Sequence, residues 1–310
     1  MNTIDKVAVC SRSFSRNPIL RAELLARYAN VTFNESGRQL EKSELIDFLR
    51  GHSKAITALE KIDESILSSL PELMVIGKYG VGLDMIDLAA MRRNGKRLGW
   101  SGGVNKRSVA ELALAYSIVM LRHVIESNRK VLSGQWSQQV GTQLSKKTVG
   151  IIGCGHVGKE FIRLLQPFEC RILVNDIEIN PAFNQAYKVT VVEKEELLGV
   201  SDIVSLHVPL NESTMNMLSA KRLSLMKSNS VLINLARGGL VDEVFLKKML
   251  LEKQIAAAAF DVFNSEPPDD HELISLPNFL VTPHIGGSSE EAILAMGYSA
   301  INGLDENFIP

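Results

Sequence analysis

Five short apolar runs in the second half of this 310-residue chain each end in a residue that can carry chemistry. Asp176 closes CRILVN, His207 follows IVSL, Arg237 follows VLINLA, Asp261 follows AAAAF and His284 follows FLVTP. Ligands of open parallel sheets sit at the carboxyl ends of the strands, so a single sheet edge would gather all five. A guanidinium grips a carboxylate through two hydrogen bonds where an ammonium cannot. An imidazole exchanges protons near neutral pH, and a neighbouring carboxylate stabilises its charged form. Such a set suits hydride transfer at a carbon bearing oxygen, with a cation for a carboxylate and an acid for the oxygen. Glu266, in DVFNSEPPDD, is a candidate partner for the histidine, with Asp269, Asp270 and Glu272 as rivals.

The hydride carrier is indicated by VGIIGCGHVGKE, where Gly153, Gly155 and Gly158 have the spacing of a dinucleotide-binding turn. The pattern alone is weak, but here it follows an apolar strand, TVGII, and opens a helix at His156 and Val157. The glycines permit a tight turn, backbone approach to a pyrophosphate, and close packing of helix on strand. The helix start offers N–H donors and the positive end of a dipole. Asp176 lies 18 residues past Gly158, where a carboxylate accepts from ribose hydroxyls and repels a 2′-phosphate. No arginine follows it directly in DIEIN, which favours NAD over NADP.

Positioning these groups requires a parallel α/β sheet, and the whole chain alternates short β-branched runs with helical spacing. A first series, KVAVC, NVTFN, KAITAL, ELMVIGK and KRLGW, precedes the glycine turn; a second, from TVGII to FLVTPH, follows it. Between them, Ser108 with Glu111 reads as a capping box opening one helix to Ser133, roughly 38 Å long. Residues 288–310 read as a helix without a sheet of its own, folding back on the first lobe. A net charge of −1 and 22% charged residues leave no footprint for nucleic acid or a membrane surface. The longest apolar run, residues 112–121, is half a membrane span. Three cysteines without metal-ligand spacing and a start lacking a signal-peptide pattern point to a cytoplasmic protein and no metal.

The chain resembles the D-isomer-specific 2-hydroxyacid dehydrogenases over nearly its whole length. The resemblance is carried by GKYGVGLDMIDLAAMRRNG, NKRSVAELALA, VGIIGCGHVGKE, LHVPLNESTMNML, INLARGGLVDE, AAFDVFNSEPP and TPHIGG, in matching order and spacing. It implies an α/β fold of two Rossmann-like doubly wound parallel-sheet domains. The substrate domain (1–101 and 288–310) would be split around an inserted NAD-binding domain (102–287), with hinges near Gly102–Gly103 and Gly286–Gly287. It implies NAD as cofactor, a small 2-keto or 2-hydroxy acid as substrate, and a homodimer with the long helix from Val109 and the segment around Trp136 as contact candidates.

By the same resemblance Arg237, Glu266 and His284 are the catalytic set: the arginine holds substrate, the glutamate orients the histidine, and the histidine is the acid/base. Asp261 is implied to lie near the nicotinamide carboxamide, with Ala236 and Gly286 on the cofactor. His207, Val208, Pro209 and Thr214 are implied to line its adenosine half. Lys78, Tyr79, Val81 and Gly82 match the substrate loop, whose Val81 and Gly82 N–H groups receive the carboxylate. The look is closest to the phosphoglycerate dehydrogenase branch, which gives D-3-phosphoglycerate dehydrogenase as the alternative within the class. Two departures stand out: Met85 replaces an asparagine common in that loop, and AITALEKID lacks that branch's phosphate-binding arginine. An NAD(H)-sensing, corepressor-like module on the same fold is the alternative from another class. Formate dehydrogenase is disfavoured, since that branch has glutamine where Glu266 stands.

Overall fold

β-Branched and small apolar residues of the first hundred positions pair as a five-stranded, all-parallel sheet. In the computed structural model, which describes residues 1–310, its strands are β1 (Asn2–Val9), β2 (Tyr28–Phe33), β3 (Lys54–Thr57), β4 (Val75–Lys78) and β5 (Arg97–Gly99). Their order is β2-β1-β3-β4-β5, so the winding reverses between β1 and β3. Both faces are covered, as a parallel sheet requires: Ala8 enters one core cluster while Val7 and Val9 enter the other. The last helix, Glu290–Gly303, supplies Ala300 and Ile301 to the second of these clusters. Beyond it, Phe308 pairs antiparallel with Leu98 of β5. Residues Met1–Asn105 and Glu290–Pro310 thus form one structural unit, and Lys106–Ser289 form a second.

The second unit holds seven parallel strands: β6 (Thr148–Ile152), β7 (Arg171–Asn175), β8 (Val189–Val191), β9 (Ile203–Leu206), β10 (Val231–Asn234), β11 (Ala257–Phe260) and β12 (Phe279–Val281). The order β12-β11-β10-β9-β6-β7-β8 reverses between β6 and β9, the doubly wound pattern that the resemblance implies. Along β10, Val231 and Ile233 enter one core while Leu232 enters the other. Strand β8 was not foreseen; it is a three-residue edge paired only to β7, and its Val191 is exposed.

One expectation is corrected. The single helix from Ser108 to Ser133 is two helices, Lys106–Leu121 and Val124–Leu132, bent by 62°. His123 adopts left-handed backbone (φ 51°), and Leu121 O accepts from Thr142 N–H (2.9 Å) rather than from a further turn of helix. There is also no capping box at Ser108. That residue lies inside the first helix and its hydroxyl donates to Gly286 O (2.7 Å). No single helix is long and apolar enough to cross a membrane.

Candidate active site

The glycine turn is built where β6 meets the winding reversal. Gly153 has φ 97°, and a Cβ there would lie 2.5 Å from His207 O, at the end of β9. No residue but glycine satisfies both the dihedral and the approach. Beside Gly155 a Cβ would meet nothing within 4 Å, so its backbone is open to a ligand. The helix His156–Leu165 starts directly after it, with His156, Val157 and Gly158 in its first turn.

Asp176 follows β7. One of its oxygens accepts from Cys154 N–H in the turn, the other from Glu178 N–H (2.8 Å). Cys154, Lys159, Asp176, Asn180 and Val191 line a shallow recess beside the turn. Open glycine backbone, a helix N-terminus and an acid beside a recess fit a dinucleotide's pyrophosphate, ribose and adenine.

His207 ends β9 with Nε2 2.9 Å from Ser205 Oγ and its ring 5.7 Å from that of Phe161. Burial of the ring pushes its pKa down to about 3, so this imidazole is neutral at physiological pH. Val208 and Pro209 follow, and Thr214 Oγ1 donates to Pro209 O (2.7 Å), closing the loop.

The groups suited to proton transfer sit on the loops after β10, β11 and β12. Asp261, almost fully buried, accepts from Ile285 N–H and Gly286 N–H (both 2.7 Å) and from Thr282 Oγ1. Thr282 in turn shares a hydrogen bond with Tyr116, whose hydroxyl burial pushes up to about 12. His284 lies between, with left-handed backbone (φ 55°), and its N–H donates to Asp261 O (3.0 Å). A non-glycine residue there stores strain of about 1–3 kcal/mol, and the Asp261 bonds on either side hold it. His284 Nδ1 stands 2.8 Å from Glu266 Oε2, while Glu266 Oε1 accepts from Phe263 N–H (3.2 Å).

None of the rivals pairs with that histidine. Asp270 and Glu272 pair with Lys247 (2.8 and 3.1 Å), and Asp269 is exposed. Arg237, half-buried after β10, donates to Ala236 O (2.7 Å). Its loop is fixed by the buried Asn234, which accepts from Ala236 N–H (3.1 Å) and donates to Arg237 O (2.8 Å). Nothing in the sequence marks Asn234, Thr282 and Ser205 beyond their closeness to strand ends, and nothing marks Tyr116, which lies inside the helix Lys106–Leu121.

Lys78, Tyr79, Val81 and Gly82 lie in the first unit, the other candidates in the second. Lys78 Nζ donates to Ala58 O, and Tyr79 packs edge-on against Phe14 (5.5 Å). Val81 O accepts from Trp100 Nε1 (3.1 Å), while the N–H groups of Val81 and Gly82 donate to no other backbone group. Where the family commonly has asparagine, Met85 contributes its backbone: Met85 O accepts from Ile62 N–H (2.8 Å), and Ile62 pairs with Ile86.

A doubly wound sheet, an acid-tipped dinucleotide turn and a histidine–glutamate pair on the same unit define a nicotinamide-dependent dehydrogenase. The chain belongs to the D-isomer-specific 2-hydroxyacid dehydrogenase family, whose NAD-binding domain matches residues 114–286. It is 35% identical over 272 residues to a glyoxylate reductase of Pyrococcus furiosus, covering 84% of this chain and 81% of that protein. It is 36% identical over 275 residues to the D-3-phosphoglycerate dehydrogenase of Escherichia coli, covering 86% and 66%. The NAD-complexed structure of a D-isomer-specific 2-hydroxyacid dehydrogenase from Lactobacillus delbrueckii ssp. bulgaricus superposes with a TM-score of 0.80 at 26% identity, over 96% and 95% of the two chains. The protein is an NAD-dependent oxidoreductase acting on the CH–OH group of 2-hydroxy acids.

Proposed function

We propose that the protein interconverts a small 2-keto acid and its D-2-hydroxy acid, with His284 as acid/base, Glu266 as its orienting partner and Arg237 as the substrate's anchor. The observation that carries this reading is the 2.8 Å contact of His284 Nδ1 with Glu266 Oε2. With Nδ1 held by the carboxylate, Nε2 is the ring nitrogen left to exchange a proton with substrate oxygen. The residues of the glycine turn and Asp176 would hold NADH, which when bound would supply a hydride for substrate C2. As the carbonyl oxygen gains charge, His284 gives up its proton there, and the Arg237 guanidinium holds the adjoining carboxylate. Glu266 balances the charge on the ring before transfer. The N–H groups of Val81 and Gly82 serve as carboxylate donors, and Asp261 keeps the His284 backbone fixed while the proton moves.

The test is loss of NADH absorbance with purified protein over a panel of 2-keto acids, with NADPH in parallel. Turnover that prefers NADH and falls by about a hundredfold or more in His284→Gln is the expected outcome. Tight NADH binding with silence across the panel would instead support the sensing module.

The same reading makes the protein a cytoplasmic homodimer. Its three cysteines are all free thiols, as suits a reducing compartment. Leu132 (79% exposed), Trp136 (87%) and Val140 (95%) present apolar side chains that a second copy would cover. Light scattering on the protein and on Trp136→Glu checks this: a dimer turned monomer supports it, and an unchanged mass removes the segment as the contact.

A further inference from the structure

Three successive backbone N–H groups, those of His284, Ile285 and Gly286, all donate to Asp261. The first reaches its carbonyl (3.0 Å) and the other two its carboxylate (both 2.7 Å). The left-handed backbone of His284, and with it the aim of the imidazole, is therefore held on a carboxylate that is 1% exposed. What holds that carboxylate in turn comes from outside the strand-end loops, from the middle of the helix Lys106–Leu121.

Thr282 Oγ1 bonds Asp261 Oδ1, and the Tyr116 hydroxyl bonds Thr282 Oγ1. An ionised carboxylate can only accept, so Thr282 gives its single proton to Asp261. Its oxygen is then an acceptor, and the tyrosine proton points to it. The two bonds thus run in one direction, from Tyr116 through Thr282 to Asp261, and hydrogen bonds in such a series polarise one another. Tyr116 is 3% exposed, with its ring in the core beside Ala113 and Met120, so the hydroxyl reaches the loop from a fixed base. Ser108, in the same helix, donates to Gly286 O (2.7 Å). The helix therefore grips the loop at Thr282 and at Gly286, on either side of His284. Any nearby acceptor would satisfy a buried tyrosine; this one ends on the acid that holds His284.

We propose that Tyr116 is a positioning residue for the reaction: through Thr282 and Asp261, its hydroxyl fixes His284 in the orientation that proton transfer needs. The inference rests on the dehydrogenase reading above and deepens it by adding a group that touches neither substrate nor cofactor.

The experiment measures the rate of NADH oxidation in a single turnover, with the most reactive 2-keto acid of the panel, in the parent protein, Tyr116→Phe, His284→Gln and the double variant. Assays run well below each melting temperature, so any stability lost with the hydroxyl does not enter the rate. Tyr116→Phe keeps the ring and is expected to slow the step by about ten- to a hundredfold, the scale of a small misplacement of a reacting group. Its affinity for NADH, followed by fluorescence, is expected to stay parental. In the His284→Gln background, Tyr116→Phe is expected to cost nothing more, because no imidazole is left to orient. Thr282→Ser keeps the series of bonds and is expected to hold the parental rate, while Thr282→Val breaks it and is expected to match Tyr116→Phe. A parental rate in Tyr116→Phe overturns the inference. So does the same loss from Tyr116→Phe with and without His284, which is what a purely structural hydroxyl would give, and so do equal losses in Thr282→Ser and Thr282→Val. A parental rate in His284→Gln is a different outcome, which removes the acid/base assignment and this inference together.

Discussion

Gly238 lies against the backbone of Phe263: a Cβ on residue 238 would sit 1.9 Å from Phe263 O and 2.5 Å from Asn264 N. The contact fastens the loop carrying Arg237 to the loop carrying Glu266. Neither backbone can yield without moving one of those side chains. Gly238→Ala is expected to destabilise the protein by about 1–3 kcal/mol, the usual range for overpacking, and to lower kcat/KM as well. Thermal melting and steady-state kinetics on one sample check this; a variant with parental melting and turnover would show that the loops are free to part.

Removing the imidazole and removing its partner's charge should have unequal effects. His284→Gln is expected to lower kcat by about 10²–10⁴-fold, the range of general acid–base catalysis. Glu266→Gln keeps an oxygen to accept from Nδ1 and loses only the charge, so its loss should be smaller. NADH binding, followed by fluorescence, should survive both. Equal losses in the two variants would contradict the division of roles.

The half-buried His207 links stability to pH. Its folded pKa, about 3, lies below that of an unfolded histidine. Between those values the unfolded chain binds a proton that the folded chain does not. Stability from this group is therefore complete above the unfolded value and lost as pH falls, by at most about 1.4 kcal/mol per pH unit. His207→Asn should flatten that dependence, which urea melts near pH 7 and near pH 5 would reveal. Parallel losses in variant and parent would assign the acid sensitivity to other groups.

Asp176 serves two partners in this fold, the Cys154 N–H of the glycine turn and the Glu178 N–H. Asp176→Ala is expected to raise KM for NADH and to shift preference toward NADPH, by about tenfold or more in the ratio of kcat/KM values. An unchanged ratio would mean that this carboxylate shapes the turn without reading the ribose.

A control separates stability from chemistry in the first unit. Lys54 bonds Tyr28 Oη and Asp305 (both 3.0 Å) and pairs with Asp5 (3.2 Å). Although burial opposes its charge, these bonds hold its pKa above the ordinary lysine value. Lys54→Met is expected to cost about 1–3 kcal/mol, as for hydrogen bonds to charged groups, with the ratio of activities on different keto acids unmoved. A change in substrate preference would place Lys54 in the site after all.

The candidate residues were legible in the sequence wherever a strand ended on one. Asp176, His207, Arg237, Asp261 and His284 follow apolar runs whose pairing is dictated locally, and the glycine turn has its own spacing. Glu266 was one of four acids until geometry placed its oxygen on His284 and sent Asp270 and Glu272 to Lys247. The helix break at His123 was invisible because both helices keep apolar spacing, and the break depends on a bond from Thr142. Ser108 looked like a cap because its spacing to Glu111 fits; its hydroxyl instead reaches Gly286, 178 residues away. Tyr116 gave no signal, since a tyrosine in an apolar helical run reads as core, and only the fold reveals that its hydroxyl reaches Thr282.

The return of the helix Glu290–Gly303 to the first sheet makes that unit discontinuous in sequence. The second unit is one continuous stretch, 106–289, with both of its core clusters drawn from within it. In the first, Ala300, Ile301 and Leu304 join Leu20 and Leu24 in the core beneath β1, and Phe308 pairs at the edge of β5. Completing that core therefore means closing a loop as long as the whole second unit, a contact slower to form than any local one.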